Sequence, residues 1–331
     1  STLGFLRVYH YFDWPIFANS RNTIYIFSVL MKKFIINILK FLTFVVPFYI
    51  IGLCIWSWIV PPFMAKNVRS NIAAYGHLFT RSRDAEKIKN PDILVLGSSH
   101  AYRGFDTRVF SNAGISAFNL GSSSQSPINT QVLLKQYLHL IKPKLVVYEV
   151  YPGTLSLDGV ESSLDMLSNG KIDKNALEMS LKINNFLTYN TLFYGYFRQT
   201  FNLNKSVKEP EKQKEDFYIK GGGYVETEYR KYKPEILQKT KWITNPSQIE
   251  ALKQNIAILN DSKTPFILIQ APITKTLYNS KTNNQEIENL LQQLGTYKNF
   301  QNEINLDDQK DFYDDNHLNQ EAVVKFNLKF I

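Results

Sequence analysis

The sequence is almost without cysteine: among its 331 residues, Cys54 is the only one. That residue lies inside a long apolar run, so the rest of the chain has no disulfide and no cysteine chemistry available to it. Hydrophobic residues make up 44% of the chain, which is ample for the core of one large domain or two small ones.

The signatures of three common α/β chemistries are also absent. The nucleophile elbow of α/β-hydrolases requires Gly-x-Ser-x-Gly, but Ser99 is followed by His100 and Ala101. No Gly-x-Gly-x-x-Gly follows the first predicted strand, which argues against a dinucleotide-binding fold. The run Gly221-Gly222-Gly223 lacks the preceding strand and following helix of a phosphate loop, so we interpret it as a flexible turn.

The formal charge of +9 is not gathered into a nucleic-acid-binding pattern. No basic run is interleaved with aromatic residues, so we predict no nucleic-acid partner. We interpret the excess of lysine and arginine as affinity for an anionic surface or polymer.

Residues 41–60 contain no charged side chain and are long enough to span a bilayer core. Lys32, Lys33 and Lys40 precede this run, so the positive-inside rule places its N-terminus in the cytoplasm and the following domain outside. We predict an uncleaved single-pass anchor in the inner or plasma membrane. A cleaved signal peptide and a buried core helix are the alternatives, but the run lacks a small-x-small cleavage site.

Residues 1–30 are aromatic-rich and show no clear periodicity. Met31 is followed by two lysines, so we interpret the preceding segment as an expression remnant or as sequence upstream of the natural start, and we derive no function from it. Residues 31–61 then form the cytoplasmic flank and anchor, residues 62–90 a linker, and residues 91–331 the main domain.

Strand and helix patterns alternate through most of the main domain. Apolar runs at residues 93–96, 116–120, 145–150, 265–272 and 300–306 read as buried strands, with helical periodicity between them. This alternation predicts a three-layer α/β/α, flavodoxin-like sheet of about five parallel strands.

The alternation is lost between residues 155 and 243. We interpret this segment as an insertion that forms a lid or a polymer-binding wall. Residues 178–200 read as helical and rich in aromatic residues, which are expected mostly to pack in the core, with stacking on sugar rings as the alternative. Those aromatic residues are Phe186, Tyr189, Phe193, Tyr194, Tyr196 and Phe197.

Two short patterns at opposite ends of the main domain carry candidate chemistry. Gly97-Ser98-Ser99-His100 follows the first buried strand, where ligands sit in open α/β sheets; serines that merely cap the next helix are the alternative. Near the C-terminus, Asp314 precedes His317 by three residues. Such a turn lets the carboxylate accept the Nδ1 proton of the imidazole and leaves Nε2 free to take a proton from a serine.

Together these patterns resemble the SGNH (GDSL-type) hydrolase superfamily over residues 92–331, with a long unmatched middle. The resemblance implies that Ser99 is the nucleophile, His317 the general base and Asp314 its orienting partner. Ser98 stands where many members have Asp. Residues 117–122 resemble the second block, whose glycine, here Gly121, would join the N–H of Ser99 in the oxyanion hole.

The third block departs from the family pattern, because Tyr151-Pro152-Gly153-Thr154 stands where hydrolytic members carry Gly-x-Asn-Asp. The side-chain oxyanion donor is therefore missing. This departure favours the membrane-anchored branch that works beside polysaccharide O-acyltransferases, such as the alginate O-acetylation and teichoic-acid D-alanylation proteins. The polar residues near these blocks are the predicted substrate contacts: Ser98, His100, Arg103 and Asn119.

Two functional hypotheses follow. In the first, the chain is an extracytoplasmic serine esterase or O-acyltransferase that acts on acylated cell-envelope or exported carbohydrate. In the second, it is a catalytically silent carbohydrate-binding partner of a membrane-bound O-acyltransferase. We predict no cofactor and no metal, because Asp314, Asp315 and His317 lack the further histidines or cysteines that a metal shell needs.

Overall fold

The computed structural model describes residues 20–73, 76–214, 216–227 and 232–331. The chain divides into two compact units, residues 1–52 and 53–331. Most of the segment predicted to precede the anchor, residues 1–19, lies outside the described residues.

A single long helix, α1 (Ser20–Ile59), contains the predicted membrane span except for its last residue. Its portion Phe27–Ile59 is long and apolar enough to cross a membrane, by length and composition. Pro47 lies inside the helix, as is tolerated in spanning helices. Large apolar side chains along it, among them Phe44 and Phe48, are exposed rather than packed.

In the described part of the second unit, eight strands form two sheets. In chain order they are β1 (Ile93–Leu96), β2 (Ala117–Asn119), β3 (Leu145–Glu149), β4 (Lys212–Gln213), β5 (Asp216–Ile219), β6 (Tyr224–Thr227), β7 (Phe266–Gln270) and β8 (Tyr297–Asn299). The larger sheet has the order β2-β1-β3-β7-β8, and every pair in it is parallel. This confirms the predicted flavodoxin-like sheet and places the switch in strand order between β1 and β3, where such folds bind ligands.

Helices cover both faces of this sheet. After the short 3-10 turn Pro62–Met64 come α2 (Leu78–Lys87), α3 (Ser99–Gly104), α4 (Thr107–Asn112) and α5 (Pro127–Ile141). A second 3-10 turn (Pro152–Ser156) leads to α6 (Val160–Asn169), α7 (Lys174–Ile183) and α8 (Phe186–Thr200). The last four are α9 (Pro246–Asp261), α10 (Lys275–Ser280), α11 (Asn284–Gln292) and α12 (Gln320–Phe330).

The alternation of side chains along the strands divides the core into two clusters. Leu94 and Leu96 of β1 pack in the cluster that contains the buried faces of α5, α9 and α11. Ile93 and Val95 pack in the other, which contains the buried faces of α4 and α12. Because successive strand residues point to opposite faces, these clusters are the two interfaces of a three-layer α/β/α fold.

The insertion is more ordered than its sequence predicts. The single helix expected over residues 178–200 is two helices, α7 and α8, separated at Asn184 and Asn185, of which Asn185 caps α8. Strands β4, β5 and β6 form a small antiparallel sheet. The glycine run between β5 and β6 is docked, since the N–H of Asn119 donates to the carbonyl of Gly222 at 2.8 Å, so the prediction of a flexible turn is corrected.

Two other boundaries differ from the sequence prediction. Residues 62–90 were predicted as a linker, but α2 lies there and buries Leu78, Phe79 and Arg81. The last strand was predicted at residues 300–306, whereas β8 ends at Asn299 and Phe300 packs in the core just beyond it. The apolar character of Phe300, Ile304 and Leu306 therefore reflects a buried loop.

Candidate active site

A single glycine forms the turn that follows β1. Gly97 has a φ of +136°, and a Cβ built on it would lie 2.5 Å from the carbonyl oxygen of Glu149. Only glycine combines that backbone conformation with so close an approach to the end of β3. The turn brings Ser98 to the N-cap of α3, where its Oγ accepts the N–H of His100 at 3.3 Å, and makes Ser99 the first helical residue.

The structure brings Ser99, His317 and Asp314 together although 218 positions separate Ser99 from His317. Ser99 Oγ lies 2.7 Å from His317 Nε2. His317 Nδ1 lies 2.9 Å and 2.8 Å from the two carboxylate oxygens of Asp314. These are hydrogen-bonding distances for a serine oriented by a histidine that is itself oriented by a carboxylate.

Hydrogen bonds hold Asp314 in its ionised form. Burial by itself would raise the pKa of Asp314, but the His317 ring and the backbone N–H groups of Asn316 and His317 outweigh it and lower the pKa to about 2. The same two N–H groups donate to Asp314 Oδ1 at 3.0 and 2.8 Å, which closes the turn that presents the imidazole. In contrast, burial and the charge of Asp314 raise the pKa of Asp315.

His100 lies beside His317 but is buried and stacked. Its ring centre is 4.0 Å from that of Tyr151 and 5.0 Å from that of His317. Burial, with a contribution from His317, lowers the pKa of His100 well below its ordinary value. His100 therefore packs as a neutral ring between His317 and Tyr151, the residue that stands in place of the third block.

Two predicted substrate contacts, Ser98 and Asn119, are inaccessible, and the prediction is corrected here. Ser98 is 2% exposed and its Oγ lies 3.4 Å from Glu149 Oε2, beneath the turn. Asn119 is 0% exposed, and its Nδ2 donates to the carbonyls of Ala101 and Phe105. Both side chains fix helix α3 in place instead of facing a ligand.

The prediction that Gly121 donates to an oxyanion is likewise corrected. Its N–H is already given to Asn119 Oδ1 at 3.1 Å. Its carbonyl accepts a hydrogen bond from the fully buried guanidinium of Arg81. Because both backbone groups of Gly121 are satisfied inside the protein, neither points to the space beside Ser99.

Arg103, another predicted substrate contact, borders the site but is held by the insertion. Its guanidinium forms an ion pair with Asp216 of β5 at 2.9 Å and donates to Thr227 of β6 and to the hydroxyl of Tyr102. These contacts connect the small sheet to helix α3 and leave little of the hydrogen-bonding capacity of Arg103 for a ligand.

Glu149 is a site residue that the sequence reasoning missed. It ends β3, is 1% exposed and lies beneath the Ser98 side chain. Burial raises the pKa of Glu149 to about 8, although hydrogen bonds from Ala271, Ser98 and Tyr151 act in the opposite direction. The sequence does single out Glu149, because a carboxylate in an otherwise apolar buried strand must be neutralised or paired.

The pocket beside the serine is narrow. Its volume is about 10 Å³, which is the space of about one water molecule. The pocket is lined by Ser99, His100, Arg103, Gly104, Ala271, Pro272, Asn316, His317 and Leu318. An acyl chain therefore does not fit inside it.

Comparisons with known proteins identify no family for this chain. No family model matches the sequence. No curated protein matches it either. Among solved structures, the chain resembles a candidate acylhydrolase from Bacteroides fragilis at 11% identity and a TM-score of 0.31, over 77% of this chain and 94% of that one. It also resembles a gut microbial diltiazem-metabolizing enzyme at 15% identity and a TM-score of 0.24, over 73% of this chain and 47% of that one.

Proposed function

We propose that the chain is a membrane-anchored serine esterase or O-acyltransferase that acts on acylated cell-envelope or exported carbohydrate. The observation that carries the proposal is the hydrogen-bonded series from Ser99 through His317 to Asp314. A helix cap explains Ser98, but it does not explain why the next hydroxyl meets an imidazole that is oriented by a carboxylate.

The residues define each step. Ser99 Oγ attacks the acyl carbonyl while His317 Nε2 accepts its proton, and Asp314 stabilises the resulting imidazolium. His317 then gives that proton to the departing alkoxide, which leaves an acyl-Ser99 ester. Water or a sugar hydroxyl attacks this ester, His317 takes the incoming proton and returns it to Ser99, and the acid or the new ester leaves.

The oxyanion donor that remains for this chemistry is the backbone N–H of Ser99 in the first turn of α3, where N–H groups have no partner within the helix. Each such donor is typically worth about 3 kcal/mol of transition-state stabilisation. A site with fewer donors than usual suits transfer between activated esters better than fast hydrolysis of stable ones. Because the cavity beside Ser99 holds no more than about one water molecule, an acceptor such as a polysaccharide would lie across the surface and not inside a pocket.

Covalent labelling tests the nucleophile. The full-length protein in detergent is incubated with a serine-directed phosphonate and its intact mass is measured. We expect one adduct on the parent protein, none on Ser99→Ala, and an unchanged adduct on Ser111→Ala, which makes the same chemical change on the exposed side of α4. Equal labelling of Ser99→Ala and the parent protein would remove Ser99 from this role.

A catalytically silent carbohydrate-binding partner of a membrane-bound O-acyltransferase is the second candidate function. The observation that favours it is the commitment of the Gly121 N–H to Asn119, together with Tyr151 in place of a side-chain oxyanion donor. Absence of any phosphonate adduct on the folded parent protein, with retained binding to acylated polysaccharide, would decide for this candidate.

The proposed topology places the second unit outside the inner or plasma membrane, with the N-terminus of α1 in the cytoplasm. Its support is the cluster of Lys32, Lys33 and Lys40 before the apolar span. Protease added outside intact cells should cleave within residues 204–214, and protection of that segment until the cells are lysed would reverse the orientation.

A further inference from the structure

Helix α8 exposes aromatic rings and buries its one charged residue, which is unusual at the surface of a soluble protein. Its buried face mixes two apolar side chains, Leu192 and Tyr194, with small or polar ones, among them Thr188, Gly195 and Arg198. Its outward face carries these rings: Phe186, Tyr189, Phe193, Tyr196 and Phe197. A helix at an aqueous surface normally buries its apolar stripe and exposes its charges.

No charge interrupts the outward face. Phe186 is 86% exposed and Tyr196 is 59% exposed. The only charged residue in the helix, Arg198, is 4% exposed and donates to the carbonyls of Ser168 and Ser70. Phe201 continues the exposed ring surface beyond the helix end. A contiguous apolar patch of this kind marks a surface that is covered by something other than water.

The contacts of α8 place it beside the end of the membrane helix. Within the second unit, Cys54 Sγ donates to the carbonyl of Phe193 at 3.8 Å. On the next turn, Asn190 Nδ2 donates to the carbonyl of Asn67 and Thr191 Oγ1 accepts the N–H of Arg69. The middle of α8 therefore lies between the last turns of α1 and the segment that leaves it.

These contacts also set the depth of α8. Cys54 precedes the end of α1 by five residues, which is about 8 Å along a helix axis. An amphipathic helix in the membrane plane buries its apolar face about 5–10 Å into the boundary between headgroups and acyl chains. Exposed Trp58 and Phe63 follow Cys54 at the same end of the span, where aromatic rings are enriched at membrane interfaces.

We infer that α8 lies in the outer membrane interface, with its ring face in the lipid. The second unit is then attached to the membrane by two elements, the span of α1 and the interfacial helix α8, and not by α1 alone. This inference rests on the membrane anchoring in the proposed function, but not on the chemistry of Ser99. A lipid occupant is favoured over a protein because Phe193 of α8 contacts Cys54 near the end of α1, a helix that is long and apolar enough to cross a membrane.

Spin-label accessibility in proteoliposomes that contain only the full-length chain tests this inference. In a Cys54→Ser background, single cysteines are introduced by Tyr196→Cys on α8, Phe44→Cys on α1 and Glu321→Cys on α12, and each carries a nitroxide. Phe44 and Glu321 are both exposed, and α12 packs on the opposite face of the sheet from the layer that carries α8. The frequencies with which oxygen and a neutral nickel chelate collide with each nitroxide then report how deep that label lies in the membrane.

We expect the ratio of oxygen to nickel accessibility to be lipid-like at Phe44 and at Tyr196, with Tyr196 the shallower, and water-like at Glu321. A water-like ratio at Tyr196 with a lipid-like ratio at Phe44 would refute the interfacial helix alone. A label at Tyr196 that is shielded from both reagents would also refute it, because a second copy of the chain would then cover the face. A water-like ratio at Phe44 would refute the anchor and the inference together, whereas phosphonate labelling of Ser99 is independent of all three outcomes.

Discussion

Helices α5 and α8 are both 15 residues long and belong to the same unit, yet they bury opposite kinds of side chain. Leu133, Leu134, Tyr137 and Ile141 of α5 are buried in the core cluster on one face of the sheet. Helix α8 buries Leu192 and Tyr194 among small or polar residues and leaves other large rings, such as Phe186 and Tyr196, exposed. Helix α5 is therefore stabilised by packing on the sheet, whereas the exposed rings of α8 are not covered by the protein, which is why we propose that lipid covers them.

The largest expected effect is on the rate of phosphonate labelling at the candidate active site, beside the sheet on which α5 packs. Asp314→Asn should lower the rate constant of phosphonate labelling by about ten-thousand-fold, as the same exchange does in serine proteases, because His317 is then held in the wrong tautomer. Asp315→Asn is the matched control and should change the rate little, since Asp315 does not face the imidazole nitrogen. Equal losses in the two variants would indicate a damaged loop.

The second largest effect is expected from a substitution in the buried face of α5. Leu134→Ala should lower the free energy of unfolding by about 2–5 kcal/mol, because a buried leucine leaves a cavity that the core fills only in part. Denaturant unfolding of the full-length chain in mild detergent measures this.

The counterpart of Leu134→Ala on the exposed face of α8 is Phe186→Ala. Phe186→Ala removes a larger side chain, yet it should change the same free energy by less than about 0.5 kcal/mol, since Phe186 is not packed in the protein. A loss as large as that of Leu134→Ala would mean that the outward face of α8 packs in the domain, and it would break the comparison.

Close packing on the buried side of α8 predicts an intermediate effect. A Cβ at Gly195 would lie 2.7 Å from the carbonyl oxygen of Leu167 in α6, so Gly195→Ala should destabilise the unit by about 1–3 kcal/mol. Gly104→Ala adds the same methyl group where no atom lies within 4 Å, and it should be neutral or nearly so. Differential unfolding of the two variants provides the measurement.

A further prediction concerns the pH dependence of stability and Glu149. Its folded-state pKa of about 8 lies above the ordinary value of 4.5, so the folded protein holds a proton that the unfolded chain has lost. Stability should therefore fall as the pH rises from about 5 to about 8. Glu149→Gln, which mimics the neutral acid, should reduce that fall by at least about 1 kcal/mol. The fall should persist in part, because burial also raises the pKa of Asp165, to about 7.

An unchanged pH dependence in Glu149→Gln would mean that Glu149 is already ionised beneath the Ser98 turn. The free energy of unfolding measured at pH 5, 6.5 and 8 for both proteins gives this result directly.

Local sequence patterns were sufficient for the fold and for the three residues of the candidate triad. Apolar runs ended by glycine, as at residues 93–97, predict buried strands because a strand covered on both faces has no polar side. The spacing of Asp314 and His317 fixes their contact within one turn. That the serine meets this histidine was an expectation of the family resemblance, and the structure places Ser99 Oγ 2.7 Å from His317 Nε2.

Other features depended on contacts between distant segments. Nothing local indicates that the carbonyl of Gly121 accepts a hydrogen bond from Arg81, or that Arg103 is paired with Asp216 across the insertion. A serine, an amide and a guanidinium all look available in a sequence, and only the packing around them decides whether their hydrogen-bonding groups face a ligand or the protein.

The sequence by itself determined the apolar span, the order of the strands along the chain and the pairing of Asp314 with His317, since each follows from periodicity or spacing within a few residues. The tertiary structure alone decided which face of α8 is buried. The aromatic spacing of that helix fits a core helix and an interfacial helix equally well, because hydrophobic periodicity reports that a face avoids water and not which apolar medium covers it.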